Sequence, residues 1–71
     1  MSAGVITAIV NGEARELADG TTVAQVLEAL QLPASGVAVA KNDRVVRRVA
    51  LASERVENGD RIEIIKAVAG G

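Results

Sequence analysis

Apolar positions recur along this chain with two different periods. Val5-Ile6-Thr7-Ala8-Ile9-Val10 is a run rich in β-branched residues, and it stops at Asn11-Gly12, a dipeptide suited to the left-handed backbone of a two-residue hairpin turn. Over residues 13–18, Ala14 and Glu16 alternate with Arg15 and Leu17, and Asp19-Gly20 supplies a second turn. The chain is therefore expected to open with a β-hairpin. The period then changes. Val23, Val26, Leu27 and Leu30 follow the i, i+3, i+4, i+7 rule, with Gln25 and Glu28 off that stripe. Thr22 with Gln25 three positions on has the spacing of a capping box, so a helix should start there. Pro33 cannot continue it, and the end is expected at about Gln31.

The second half returns to strands. Val37-Ala38-Val39-Ala40 is an unbroken run of small apolar residues, the pattern of a strand covered on both faces, and Asn42-Asp43 turns it. Residues 44–48 can return as an edge strand whose charges discourage unwanted pairing. Residues 49–57 have no clean period and read as a loop or short helical turn in which Leu51 and Val56 plug the core. Asn58-Gly59-Asp60 is a turn signal, and residues 61–64 alternate as a final strand. The order is β-β-α-β-β-β, an α+β chain in which the helix must cover an apolar sheet face. Ile6, Ala8, Val10, Leu17, Val39, Ile62 and Ile64 are the candidates for that face; the other register of the first strand would turn Val5 and Ile9 inward.

Composition narrows the chemistry. The 71 residues contain no Cys and no His, so the commonest nucleophile and the commonest proton shuttle are both missing. A self-contained hydrolase, redox protein or zinc protein is not expected, nor is a resident metal or cofactor. No residue is aromatic and the net charge is -1, which gives neither a stacking platform nor a basic groove for nucleic acid. The charges are uneven: residues 1–35 hold one base and four acids, residues 36–71 seven bases and five acids. That asymmetry suits a polar docking face. The opening residues carry no basic run, and the apolar stretch after them is too short for a signal-peptide core or a membrane span. The expectation is one cytoplasmic domain over residues 1–71, monomeric when free.

With the turn residues where they stand, this order resembles the β-grasp, or ubiquitin-like, fold. More narrowly, Val10-Asn11-Gly12-Glu13, Thr22-Val23, Val37-Ala38-Val39-Ala40, Asn58-Gly59-Asp60-Arg61-Ile62-Glu63-Ile64-Ile65 and Ala67-Val68-Ala69-Gly70-Gly71 resemble the ThiS family, the sulfur carrier proteins of thiamine (thiazole) biosynthesis. The likeness runs from about Thr7 to Gly71. Family members often have Val-Val-Pro-Arg on the fourth strand, where this chain has Val45-Val46-Arg47-Arg48. The resemblance implies a carrier that is not itself an enzyme. Its Gly71 carboxylate would be adenylated by a ubiquitin-activating-like enzyme using MgATP, converted to a thiocarboxylate with sulfur from a persulfide donor, and consumed by thiazole synthase. Ala67, Val68, Ala69 and Gly70 would thread the enzyme's narrow site as a flexible tail. Glycine suits such a passage because it carries no Cβ to block close backbone approach.

Taken alone, Gly70-Gly71 also fits an ordinary frayed end. A carrier for another pathway, such as a molybdopterin synthase small subunit, would share the fold and the diglycine, although such subunits lead into the tail with Phe and Pro where this chain has Ile64-Ile65-Lys66. A ubiquitin-like protein modifier and a plain interaction module are the remaining alternatives. If Ile62 and Ile64 point inward, alternation sends Ile65 to the other face, where it is a candidate docking contact. Lys66, Arg47, Arg48 and Arg61 are candidates for holding an acidic partner surface, against the reading that most of them form a solvated face.

Overall fold

The computed structural model describes residues 4–66. Strand β1 (Val5–Val10) and strand β2 (Glu13–Ala18) form the expected antiparallel hairpin. Asn11 and Gly12 take φ of 49° and 83° at its turn, a left-handed geometry that few residue types tolerate. Helix α1 (Val23–Ala29) follows, then a 3₁₀ turn (Ala34–Gly36), β3 (Val37–Lys41), β4 (Arg44–Val46), a second 3₁₀ turn (Arg48–Ala50) and β5 (Arg61–Lys66). The sheet order is β2-β1-β5-β3-β4. The last strand therefore sits in the middle, parallel to β1 and antiparallel to β3.

One face of the sheet is covered. Ala8, Val10, Val39, Ile62 and Ile64 meet Val23, Val26 and Leu27 of the helix, and Leu51 and Val56 close the cluster from residues 48–60. Ile6 and Leu17 are half-buried against it, so the first register holds; Val5 is exposed and Ile9 only half-buried. The Thr22 capping box forms as expected, with the Gln25 N–H donating to Thr22 Oγ1 at 3.2 Å and the Thr22 N–H to Gln25 Oε1 at 2.9 Å.

Three expectations are corrected. The helix ends earlier than Gln31, with Leu30 as its C-cap and Gln31 at φ 60°. The N–H groups of Gln31 and Leu32 turn back to the carbonyls of Glu28 and Leu27, at 3.0 and 2.9 Å, which is the Schellman ending with Gln in the place where glycine is usual. Strand β3 is not covered on both faces: Val39 is buried, but Ala38 on the opposite side is exposed. The edge strand stops at Val46, because Arg47 leaves in extended geometry and Arg48 enters the 3₁₀ turn. Residues 48–60 are tied to the helix start, where the N–H groups of Val23 and Ala24 donate to the carbonyls of Glu54 and Leu51. The loop thus satisfies donors that a helix N-terminus leaves free.

Candidate functional site

The strand nearest the expected reactive end is β5, and its position is over-determined. Its parallel pairing with β1 spans only Ile9 with Arg61 and Val10 with Ile62. Beyond that, β1 has turned away, and the Asn11 side chain takes over, its Oδ1 accepting the Ile64 N–H at 2.8 Å. On the other flank β3 pairs with β5 along five residues, from Val37 with Lys66 to Lys41 with Ile62. The sheet thus carries the chain through its own centre, held on both sides as far as Ile64 and by β3 alone at Ile65 and Lys66.

Two more asparagines anchor the start of β5. Asn42 at the β3–β4 turn accepts the Arg61 N–H and donates to Asp60 Oδ1, each at 2.9 Å. Asn58 accepts the Thr7 N–H at 2.9 Å. Asp60 in turn accepts the Glu57 N–H at 2.7 Å. Lys41 crosses this end of the molecule, binding Glu54 at 2.6 Å, the Arg55 carbonyl at 3.0 Å and Asp60 at 3.7 Å. The Glu54 hydrogen bond outweighs burial and raises the Lys41 pKa. Burial opposes the Asp60 charge, but the donors on Asn42 and Glu57 and the Lys41 ammonium together hold its pKa below the ordinary carboxylate value. The sequence marks Asn11, Asn42, Asn58 and Asp60 as turn formers and singles out neither Lys41 nor Glu54; the pairings of Lys41 with Glu54, 13 positions on, and of Asn11 with Ile64, 53 positions on, are tertiary facts.

The expected docking residues separate into groups. Ile65 is two-thirds exposed on the face away from the helix. Its partner in register is Ala38, and one row further Ala40 lies between the exposed Glu63 of β5 and the exposed Val45 of β4, so the three strands present an aliphatic patch bordered by the Glu63 carboxylate. Arg61 shares the Ile65 side of β5, but its guanidinium is held by Asp43 at 2.9 Å. Lys66 is exposed, and alternation places it on the opposite side from Ile65. Arg47 and Arg48 are exposed at the β4 edge. The structure therefore joins Ile65 to alanines and a valine that sequence reading did not single out, and it does not gather the four basic residues into one cluster. Ala67, Val68, Ala69, Gly70 and Gly71 lie outside the described residues. Among the described residues no three potential ligands come together as a metal site, and no helix is long and apolar enough to cross a membrane.

A five-stranded mixed sheet closing over one helix, with the chain leaving from the central strand, defines a ubiquitin-like β-grasp domain. A crystal structure of a thiamine biosynthesis protein, ThiS, from Geobacter metallireducens superposes with a TM-score of 0.79 at 30% identity, covering 93% of this chain and all of that one. The sulfur carrier protein ThiS of Escherichia coli K12 is 38% identical over 61 residues, 86% of this chain and 92% of the relative. The ThiS family model matches residues 8–71. The chain belongs to the ThiS family.

Proposed function

We propose that the protein is the sulfur carrier of thiazole formation in thiamine biosynthesis, working in the cytoplasm as a protein co-substrate whose reactive group is the Gly71 carboxylate. The observation that carries this reading is the family match over residues 8–71, which includes the diglycine, on a chain with neither Cys nor His. A carboxylate resists nucleophiles because it is anionic and would have to expel oxide. An oxygen of Gly71 attacks the α-phosphorus of MgATP in the activating enzyme and expels pyrophosphate, so that the acyl carbon acquires AMP as a leaving group. The terminal sulfur of a persulfide then attacks that carbon and AMP departs. The bond formed is the acyl C–S bond; a thiol then attacks the donor's sulfur and cleaves the S–S bond the persulfide brought with it, leaving the thiocarboxylate on Gly71 and the donor sulfur in a disulfide with that thiol. Thiazole synthase takes the sulfur and returns the carboxylate.

The body's part is presentation. The aliphatic patch of Ile65, Ala38, Ala40 and Val45 includes the end of β5, so a partner seated there is held beside Lys66, the residue from which the chain continues to Gly71. Arg47 and Arg48 by the β4 edge, and Arg61 and Lys66 at the two ends of β5, would be secondary contacts. Incubation with the activating enzyme, ATP and a persulfide donor is expected to raise the intact mass by the difference between sulfur and oxygen. Failure to gain that mass where a control carrier charges would overturn the reading. Amide adducts to lysines of other proteins under the same conditions would point instead to a protein modifier.

A further inference from the structure

A cleft of about 560 Å³ lies beside β4, bordered by Lys41, Arg44 and Arg47, with Val45, Val46 and Ala50 as its apolar lining and Glu54 as its one carboxylate among the described residues. Glu54 is already engaged by Lys41 at 2.6 Å. Arg44 and Arg47 are exposed, and neither has an acid within ion-pairing distance among the described residues. The contrast is with Arg61, whose charge is met by Asp43. Two guanidinium forks without carboxylates therefore stand at the mouth of a partly apolar cleft.

The same strand is an open edge. Among the described residues β4 has a neighbour on one side only. Lys41 with Arg44 and Val39 with Val46 are the pairs that flank the two-residue turn in alternate register, so antiparallel alternation turns the Val45 N–H and C=O outward. An extended chain can bond there, and side chains on one of its faces then reach the cleft.

We propose that this edge and cleft receive an extended acidic segment of a partner protein. Its carboxylates, on the face that meets the cleft, pair with Arg44 and Arg47, which bind them in a planar, two-pronged geometry, and its apolar residues, alternating to the other face, lie beside the exposed Val45. Charge complementarity selects the occupant. Nucleic acid would require stacking residues that this chain lacks. A second copy offering its acidic β2 edge would join head to tail and continue as an open filament. The proposal does not depend on sulfur carrying, and its test involves no activating enzyme.

The test is an amide chemical-shift titration of the full-length protein with a short capped peptide alternating Asp and Val, against a Lys-Val peptide and inorganic phosphate. Shifts centred on residues 41–54, absent with the Lys-Val peptide and reduced by salt, are expected. Arg44→Ala with Arg47→Ala should weaken binding by about tenfold or more, and the paired Lys substitutions, which keep the charge and lose the fork, by less. An unchanged spectrum elsewhere establishes that the variants are folded. The proposal is overturned by no shifts, by shifts centred on Ile65, by equal response to the Lys-Val peptide, by phosphate reproducing the pattern, or by self-association of the protein alone.

Discussion

Asparagine does different work at each of three turns, and residue type alone did not reveal it. Asn11 was legible as a hairpin former, but its Oδ1 also serves the Ile64 N–H, more than fifty positions away. Removing that acceptor while keeping the backbone permissive, as in Asn11→Gly, should cost about 1 kcal/mol in urea unfolding. Asn11→Ala should cost roughly 1–2 kcal/mol more, because alanine resists the left-handed φ. Equal losses would show that the turn geometry is unimportant. Gln31 is the converse case: at φ 60° it occupies a site where glycine is at ease, so Gln31→Gly should raise stability by about 1 kcal/mol despite its greater freedom when unfolded. The Asp60 and Lys41 pair adds a pH dependence. Asp60 has a lowered folded pKa, so its contribution is present above the ordinary value of 3.8 and disappears as pH falls through the folded value. Lys41 is raised, so its contribution is present below 10.5 and disappears as pH climbs through the folded value. Asp60→Asn should flatten the acid limb of a stability–pH curve below about pH 4 and leave its shape near neutrality unchanged.

At the scale of elements, periodicity carried most of the information. The strand β1, the hairpin turn, the capping box and the helix stripe appear where the sequence placed them, because each rests on contacts within a few residues. Thr22→Ala should accordingly lower stability by about 1 kcal/mol, and Leu27→Ala, at a fully buried site facing the sheet, by roughly 2–5 kcal/mol in the same unfolding assay. The misplaced ends have a common cause. The helix stop and the end of β4 are fixed by where the chain must go next, and the cue at Gln31 was hidden because a non-glycine residue adopts the left-handed turn. The apolar run at residues 37–40 suggested a strand covered on both sides, but Ala38 and Ala40 are small enough to stand on an uncovered face.

The whole molecule sets the site. The proposed function asks for a rigid body at the end of β5, and this central strand is held by β3, β1 and the Asn11 side chain. The core named above is drawn from residues 8–64. Deleting Gly71 should therefore abolish charging with sulfur while leaving the thermal midpoint unchanged; a marked fall in the midpoint would assign the terminus a structural role instead. Ile65→Asp should slow charging by the activating enzyme, read as a raised KM, without lowering stability, because its side chain faces away from the core. Loss of stability with unchanged KM would remove Ile65 from the docking face.

By itself the sequence determined the kinds of element, their order, the apolar stripe of the helix and the family, since these follow from local periodicity, turn chemistry and motifs that can be read in order along the chain; the register of β1 and the covered face of β3 it left to the fold. The tertiary structure alone decided the neighbours. It set β5 between β1 and β3, joined Ile65 with Ala38, Ala40 and Val45, tied Lys41 to Glu54 and Asp60, and left Arg44 and Arg47 without acids at an open edge. The physical reason is that strand pairing and ion pairing depend on distance in space. A one-dimensional pattern specifies which face of an element is apolar, but the partner across that face is chosen by how all the faces are buried together.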